Sequence, residues 1–240
     1  MFNSVLKRIA ASMPRHWQIA LKRWHYGRLL RSGRFLPDEP EYELLPFLVA
    51  KGEFVLDIGA NIGHYTAILS TLVGNEGRVF AFEPIPQTFQ LLTANSEYFA
   101  HRNVTFYNVA ASDRFGMGQM IVPMLESGLE NPYMAQLVDS GNKGGIAVAC
   151  VPIDALQFPK RVSLVKIDAE GHDKIVLSGM RGLLERDLPT VIVEDKTKDV
   201  ATFMENLGFE GHHLPKSPNQ IYTHRNSAHR KTVMSLARSS

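Results

Sequence analysis

From residue 54 to residue 223, short apolar runs alternate with segments of helical periodicity, and this rhythm constrains the fold more than any other feature. Phe54-Val-Leu-Asp-Ile58 runs straight into Gly59-Ala-Asn-Ile-Gly63, after which Tyr65 to Val73 is helical. Arg78–Phe82 reads as a second strand, 86–99 as a helix with Phe89, Leu92 and Phe99 near one face, and Val104–Val109 as a third strand. After a break the rhythm returns, with a strand at Val162–Ile167, a helix at Asp173–Glu185 and a strand at Thr190–Val193. A helix at Ala201–Leu207 stopped by Gly208 and a short strand at Gln220–Thr223 complete it. Strands and helices at this interval predict βαβ units and a doubly wound, mostly parallel α/β sheet. With 45% hydrophobic residues in 240, the chain can bury such a core, which excludes general disorder.

The break spans residues 114–150, where six glycines are spread between short β-like runs at Gln119–Pro123 and Ile146–Val151. It reads as an inserted hairpin or flexible loop on the acceptor side of a single domain, 37–222. Ahead of that domain lies a basic helical extension, 1–36. Val5, Leu6 and Ile9 have helical spacing, as do Trp17, Leu21, Trp24 and Arg28, with Pro14 between two short helices. Asp38 to Glu43 then switches the charge sharply and suits the first turn of a helix through Leu44, Leu45, Leu48 and Val49. A polar, basic tail, 223–240, is expected to be flexible or a loose helix.

The formal charge of +2 hides this layout. The first 36 residues hold eight basic residues and no acid, and 223–240 hold four and no acid. All 24 acids therefore lie between, against 14 bases, so the middle carries about −10. One cysteine, Cys150, excludes an internal disulfide framework and multi-cysteine metal sites. No stretch has the 18 apolar residues of a membrane span, and the N-terminus is a poor secretory signal, so a cytoplasmic location is expected, with peripheral membrane contact through 1–36 as a further option.

The chemistry starts at Asp57-Ile-Gly-Ala-Asn-Ile-Gly63, between a strand and a helix, where glycines let the backbone turn and approach a ligand. Glu83 ends the next strand 24 residues after Gly59, the place from which an acid accepts ribose hydroxyls. The G-x-G-x-x-G spacing of a dinucleotide site is absent. Asp57 facing the loop is unwelcome beside a pyrophosphate but suits an ammonium. S-adenosylmethionine offers a ribose, an ammonium and no phosphate, so the pattern selects it.

Four segments carry a family resemblance: Val55–Tyr65, Val79-Phe-Ala-Phe-Glu-Pro84, Ala110-Ala-Ser-Asp-Arg-Phe-Gly116 and Val165-Lys-Ile-Asp-Ala-Glu-Gly171. On these, across roughly residues 40–213, the chain resembles the FkbM-type S-adenosylmethionine-dependent methyltransferases, which have the Rossmann-like class I methyltransferase fold. The first two segments specify the cofactor and the last two the family. The chain departs after Glu170-Gly171, where His172-Asp173 stands in place of the family's frequent Glu. The resemblance implies that Asp57, Gly59, Ala60, Asn61 and Gly63 line the methionine and sugar side, with Tyr65 near the carboxylate. It puts Glu83 and Pro84 at the ribose, and Ala110, Ser112 and Asp113 by the adenine, although Asp113 is equally suited to capping a turn.

Methyl transfer to an alcohol needs an aligned acceptor, excluded water and a base at the C-terminal edge of the sheet. Asp168, Glu170 and His172 are the candidate catalytic residues, with Asp168 also on the cofactor side. His172 has the side chain best suited to base work but also reads as a solvated loop histidine, and Lys166 as a carboxylate's partner. Glu194 and Asp195 suit either a Mg²⁺-binding cluster with Asp168 or a capping pair, and the second is favoured, so no metal is expected. His212-His213 is a weaker metal signal. Phe115, Met117, Met120, Met124 and Tyr133 are candidates to line the acceptor pocket, while Trp17 and Trp24 read as packing anchors rather than base-stacking platforms.

The expected reaction is O-methylation of a hydroxyl on a sugar, glycan or small-molecule natural product. A nucleic-acid or protein methyltransferase, or a membrane-docked enzyme acting on lipid-linked glycan, is the alternative. A body at about −10 repels polyanions, so no specific nucleic-acid partner is expected.

Overall fold

The computed structural model describes residues 13–37, 39–124, 131, 134–138, 145–194, 199–227 and 229–239. The expected helix at Val5, Leu6 and Ile9, and also Asp38, Tyr133 and Asp195, lie outside the described residues. In chain order the described strands are β1 (Phe54–Ile58), β2 (Arg78–Phe82), β3 (Val104–Tyr107), β4 (Ala110–Ser112), β5 (Gly116–Ile121), β6 (Gln136–Val138), β7 (Ile146–Pro152), β8 (Val162–Ile167), β9 (Thr190–Glu194), β10 (Phe209–His213) and β11 (Asn219–His224). The described α-helices are α1 (Arg15–Arg31), α2 (Leu45–Leu48), α3 (His64–Val73), α4 (Pro86–Asn95), α5 (Asp173–Ser178), α6 (Arg181–Asp187), α7 (Asp199–Asn206) and α8 (Arg230–Ser239).

The main sheet has the order β10-β11-β9-β8-β1-β2-β3. It is parallel from β3 through β9, while β11 pairs antiparallel with both β9 and β10. Every residue of β1 is buried, as expected of a central strand covered on both faces. The chain leaves β1 toward β2 and β3, then returns to β8 on the other side of β1. That reversal opens a crevice at the carboxyl ends of β1 and β8, where open α/β sheets bind ligands. One core cluster packs Leu56, Ile58, Phe82, Ile167 and Val176 on one face of the sheet, and another packs Leu48, Val55, Leu69, Leu164 and Ile221 on the other.

Several local expectations change. Residues 114–150 contribute strands to a four-stranded second sheet of order β4-β7-β5-β6, not a lone hairpin. Its inner face, with Met120, Ala135, Val148 and Cys150, packs on Ile85 and Ala110 beside the crevice. The helix expected over Asp173–Glu185 is broken at Gly179, which packs so closely on Ser112 that a Cβ there would sit 1.8 Å from the serine's carbonyl oxygen. The chain restarts as α6, with Asp154 accepting the N–H groups of Gly182 and Leu183 at 2.7 and 2.8 Å. Strand β10, unexpected from its Gly-His-His sequence, exists because β11 supplies its hydrogen bonds.

The expected flexible tail is instead the docked helix α8. Val233 is fully buried in the second core cluster, and Arg230 holds Glu210 through a bidentate pair. The basic extension is docked as well. Tyr26, Leu29 and Leu30 of α1 pack with Phe35 on Ile62 and Leu91, and Gly27 lets the ring of Tyr98 approach. This face is not the expected one: Trp17 and Trp24 point outward, 62% and 59% exposed, and are not packing anchors. The chain then passes through a 3₁₀ turn, Pro40–Leu44, into α2. This strap is tied down by Glu41, which is fully buried and accepts from Ser217 Oγ at 2.6 Å and from Asn219 Nδ2 at the start of β11.

Candidate cofactor and acceptor site

A cavity of about 240 Å³ lies at the carboxyl ends of β1, β2 and β8. Gly59, Asn61, Glu83, Pro84, Ala110, Asp168, Glu170 and His172 line it among the sequence-selected residues. Gly59 has φ +77°, and a Cβ on it would lie 2.0 Å from the carbonyl oxygen of Asp168, so only glycine lets β1 and β8 stay this close at their tips. Asn61, at φ 50°, turns the chain so that its N–H meets Glu83 Oε2 at 3.0 Å. Its own Oδ1 is buried at the cavity with no hydrogen-bond partner among the described residues, an acceptor that a ligand's donor would satisfy.

Glu83 is 4% exposed and accepts N–H groups at both oxygens, from Asn61 and from Ile85 at 2.9 Å. Burial pushes its carboxyl up to about 7, although these two N–H groups pull it down. Each oxygen keeps a lone pair that a vicinal diol can fill. Pro84, Ile85, Val109, Ala110 and Ala111 form an apolar slot beside it, closed on the outer side by Met120, Ala135 and Leu137 from the second sheet.

Other expected residues lie elsewhere. Asp57 is 1% exposed and does not line the cavity; its Oδ2 accepts Thr66 Oγ1 at 2.5 Å. Burial raises it to about 6, against the pull of Thr66 and Lys166. Ala60 is buried, with its N–H on the carbonyl of Phe82 at 2.9 Å. Gly63 faces Leu92, where a Cβ would lie 2.8 Å away, so its lack of a side chain serves the packing of α3 on α4. Ser112 and Asp113 line a second cavity, of about 370 Å³, with Arg114, Met117 and Ile175. His172 is in the wall of both cavities, and its Nε2 lies 3.4 Å from Ser112 Oγ. Of the residues expected to line an acceptor pocket, Met120 borders the first cavity and Met117 the second, while Phe115 and Met124 are 69% and 62% exposed.

Asp173, the departure from the family pattern, holds the loop at the end of β8. It accepts the N–H groups of Ala169 and Gly171 at 3.0 and 3.1 Å, which fixes Glu170 at φ 48°. Among the described residues no group of three or more His, Cys, Asp or Glu converges as metal ligands. His212 instead meets Thr223 across the β10–β11 pair at 3.0 Å.

Sequence reasoning missed Glu39. It comes from the strap, lines the first cavity and accepts the hydroxyl of Tyr65 at 2.5 Å. Beneath it Lys166, 2% exposed, has its Nζ 3.6 Å from Asp168 Oδ2 and 4.9 Å from the centre of the Tyr65 ring. Burial opposes the lysine's charge, yet Asp168, Glu39 and Asp57 together hold it above its ordinary value. The only available signal was the acid run around Glu39 itself, and its approach to the crevice is tertiary.

The residues fit S-adenosylmethionine on their own chemistry: a diol acceptor at Glu83, an orphaned acceptor at Asn61 and a flat apolar slot. Carboxylates dominate the polar lining, in which no lysine or arginine is present among the described residues.

The description "Methyltransferase FkbM domain" belongs to the family model that matches residues 57–210. A Haloferax volcanii protein described as hexuronic acid methyltransferase AglP is 29% identical over 161 residues, which is 64% of this chain and 62% of that protein. The chain thus spans less than two thirds of that relative. Methyltransferase 1 of Beauveria bassiana is 27% identical over 191 residues, 70% of this chain and 76% of that one. Among solved structures, a candidate rRNA methylase from Clostridium thermocellum superposes with a TM-score of 0.50 at 13% identity, covering 76% of this chain and 90% of the other. That likeness shows the class I methyltransferase fold.

Proposed function

The chain belongs to the FkbM methyltransferase family, and from that premise we propose that it moves a methyl group from S-adenosylmethionine to a hydroxyl of a sugar or similar small acceptor. The observation that carries the reading is the first cavity: four carboxylates (Glu39, Glu83, Asp168 and Glu170), an apolar slot and, among the described residues, no lysine or arginine in its wall. A phosphate-bearing dinucleotide would be repelled there, and a cationic nucleoside is favoured. The Haloferax relative's description supports a sugar as the acceptor.

When bound, the cofactor supplies an electrophilic methyl carbon on a sulfonium. Glu83 fixes the ribose, and the slot at Pro84, Ile85 and Ala110 takes the base. Met120, Ala135 and Leu137 close that slot over the base and keep water from it. His172, in the wall between the two cavities, is placed to take the hydroxyl proton as the oxygen–methyl bond forms and the sulfur–methyl bond breaks. Asp168 stays beside Lys166 on the cofactor side.

Calorimetry with S-adenosylhomocysteine tests the cofactor site. Wild-type protein should bind, and Glu83→Ala should lose binding; equal affinity in both refutes the assignment. Transfer of labelled methyl to a hexuronate-terminated oligosaccharide tests the acceptor. Label stable to mild alkali marks an ether at a hydroxyl, and alkali-labile label marks an ester at the carboxylate. His172→Gln should abolish transfer and leave cofactor affinity in place.

A second reading concerns attachment. Trp17, Leu21 and Trp24 form an exposed stripe on α1, in an extension with no acid, and this favours docking on an anionic membrane surface. Among the described residues no helix is long and apolar enough to cross a membrane. Co-sedimentation with phosphatidylglycerol vesicles that Trp17→Ala/Trp24→Ala leaves unchanged would refute this reading.

A further inference from the structure

We propose that Glu39 recognises the ammonium group of the cofactor's methionine end, which makes the strap before β1 part of the cofactor site. This inference rests on the S-adenosylmethionine reading above. The family match begins at residue 57, so nothing in it assigns a role to Glu39.

Asp57, whose place at the end of β1 suits an ammonium in the sequence, is not available to one. At 1% exposure and bonded to Thr66, it sits behind the cavity wall. The cavity's polar wall near Lys166 is made by Glu39 and Asp168 instead. Four carboxylates, Glu39, Glu41, Asp57 and Asp168, act on a single buried lysine, so the cluster holds more acids than bases, and burial raises the carboxyls of Glu39 and Asp57. A ligand bringing one more cation to the cavity side completes it.

Glu39 is built to do this. One oxygen is held by the Tyr65 hydroxyl, whose ring also covers Lys166. The strap cannot swing away freely, because the next acid, Glu41, is locked by Ser217 and Asn219. Gly59 and Asn61 line the same cavity, on the loop along which the methionine end of the cofactor would run. A carboxylate held on one oxygen in the same cavity wall as that loop has its other oxygen to offer an ammonium.

The test uses full-length protein, calorimetry and two ligands. S-adenosylhomocysteine carries the amino-acid end; 5′-methylthioadenosine carries the same nucleoside and thioether without it. The variant is Glu39→Gln, whose amide oxygen still accepts the Tyr65 hydroxyl, so only the charge is removed. The expected result is about 10- to 100-fold weaker binding of S-adenosylhomocysteine, the usual range for one charge-assisted hydrogen bond. Binding of 5′-methylthioadenosine should stay within about twofold of wild type on the same reasoning. Equal losses for both ligands mean a structural role and overturn the proposal, as does no loss for either. Wild-type protein that binds neither ligand overturns the cofactor reading itself, and this assignment with it.

Discussion

Glu83 makes cofactor affinity depend on pH in a direction and amount that follow from its surroundings. Burial holds its carboxyl at about 7 in the free protein, well above the ordinary 4.5. A ribose donates hydroxyl protons to an ionised carboxylate, so the protonated form must lose its proton before binding. With the group titrating near 7, affinity should be nearly full at pH 8 and about tenfold weaker at pH 6. The ligand to use is 5′-methylthioadenosine, which presents the ribose and no amino-acid end, measured by calorimetry at half-unit steps from pH 8 to pH 6. Glu83→Gln supplies the control, with weak and flat binding throughout. A flat wild-type profile, or a slope that survives in Glu83→Gln, refutes the reasoning. The same group sets a stability trend of opposite sense. Its folded value lies above the unfolded one, so its contribution to stability is full below pH 4.5 and is lost as the pH rises through 7. The gap corresponds to roughly 3 kcal/mol, so the ligand-free protein should lose stability from this group between those limits, as urea titrations would record.

Three further outcomes follow from packing. Gly59→Ala must push the tip of β8 away, since the new Cβ would meet Asp168's carbonyl at 2.0 Å; it should lower the melting temperature and weaken S-adenosylhomocysteine binding together, and retention of both would contradict the close approach. Thr66→Val strips the hydroxyl from buried Asp57 and should cost about 1–3 kcal/mol in urea unfolding at pH 8, with a smaller cost below pH 6 where the acid is protonated. Val233→Ala should cost about 1–3 kcal/mol because α8 is anchored in the core; a loss under about 0.5 kcal/mol would mean that the helix is not held there.

The parts of this molecule legible from sequence are those whose information is local. The strand, glycine turn and helix at 54–73 announce themselves through an apolar run and positions that only glycine tolerates, and Glu83 follows from its place at the end of β2. The orientation of Asp57 was not legible, because β1 is buried on both faces and alternation cannot say which face a residue takes. The outward turn of Trp17 and Trp24 escaped for a related reason: α1 has apolar residues on two sides, and only the contact with Leu91 and Ile62 decides which side is covered. The need for glycine at 179, where the helix breaks, depends on a backbone 67 residues earlier at Ser112, and β10 depends on its partner β11. Glu39 belongs with these, since its neighbours Tyr65 and Asp168 are distant in sequence.

The tie between Glu41 and the start of β11 joins residues 176 and 178 positions apart. Closing so long a loop carries an entropy cost that no local contact repays until the elements between have formed, so such a pairing is expected late in folding. The parallel strands can assemble while the strap is still loose. In that species the sheet and the glycine turn exist, but Glu39 has no fixed place. Competence to bind the full cofactor then arrives with the meeting of the two ends of the chain, and a molecule stalled one step short would be compact and unable to hold its ligand.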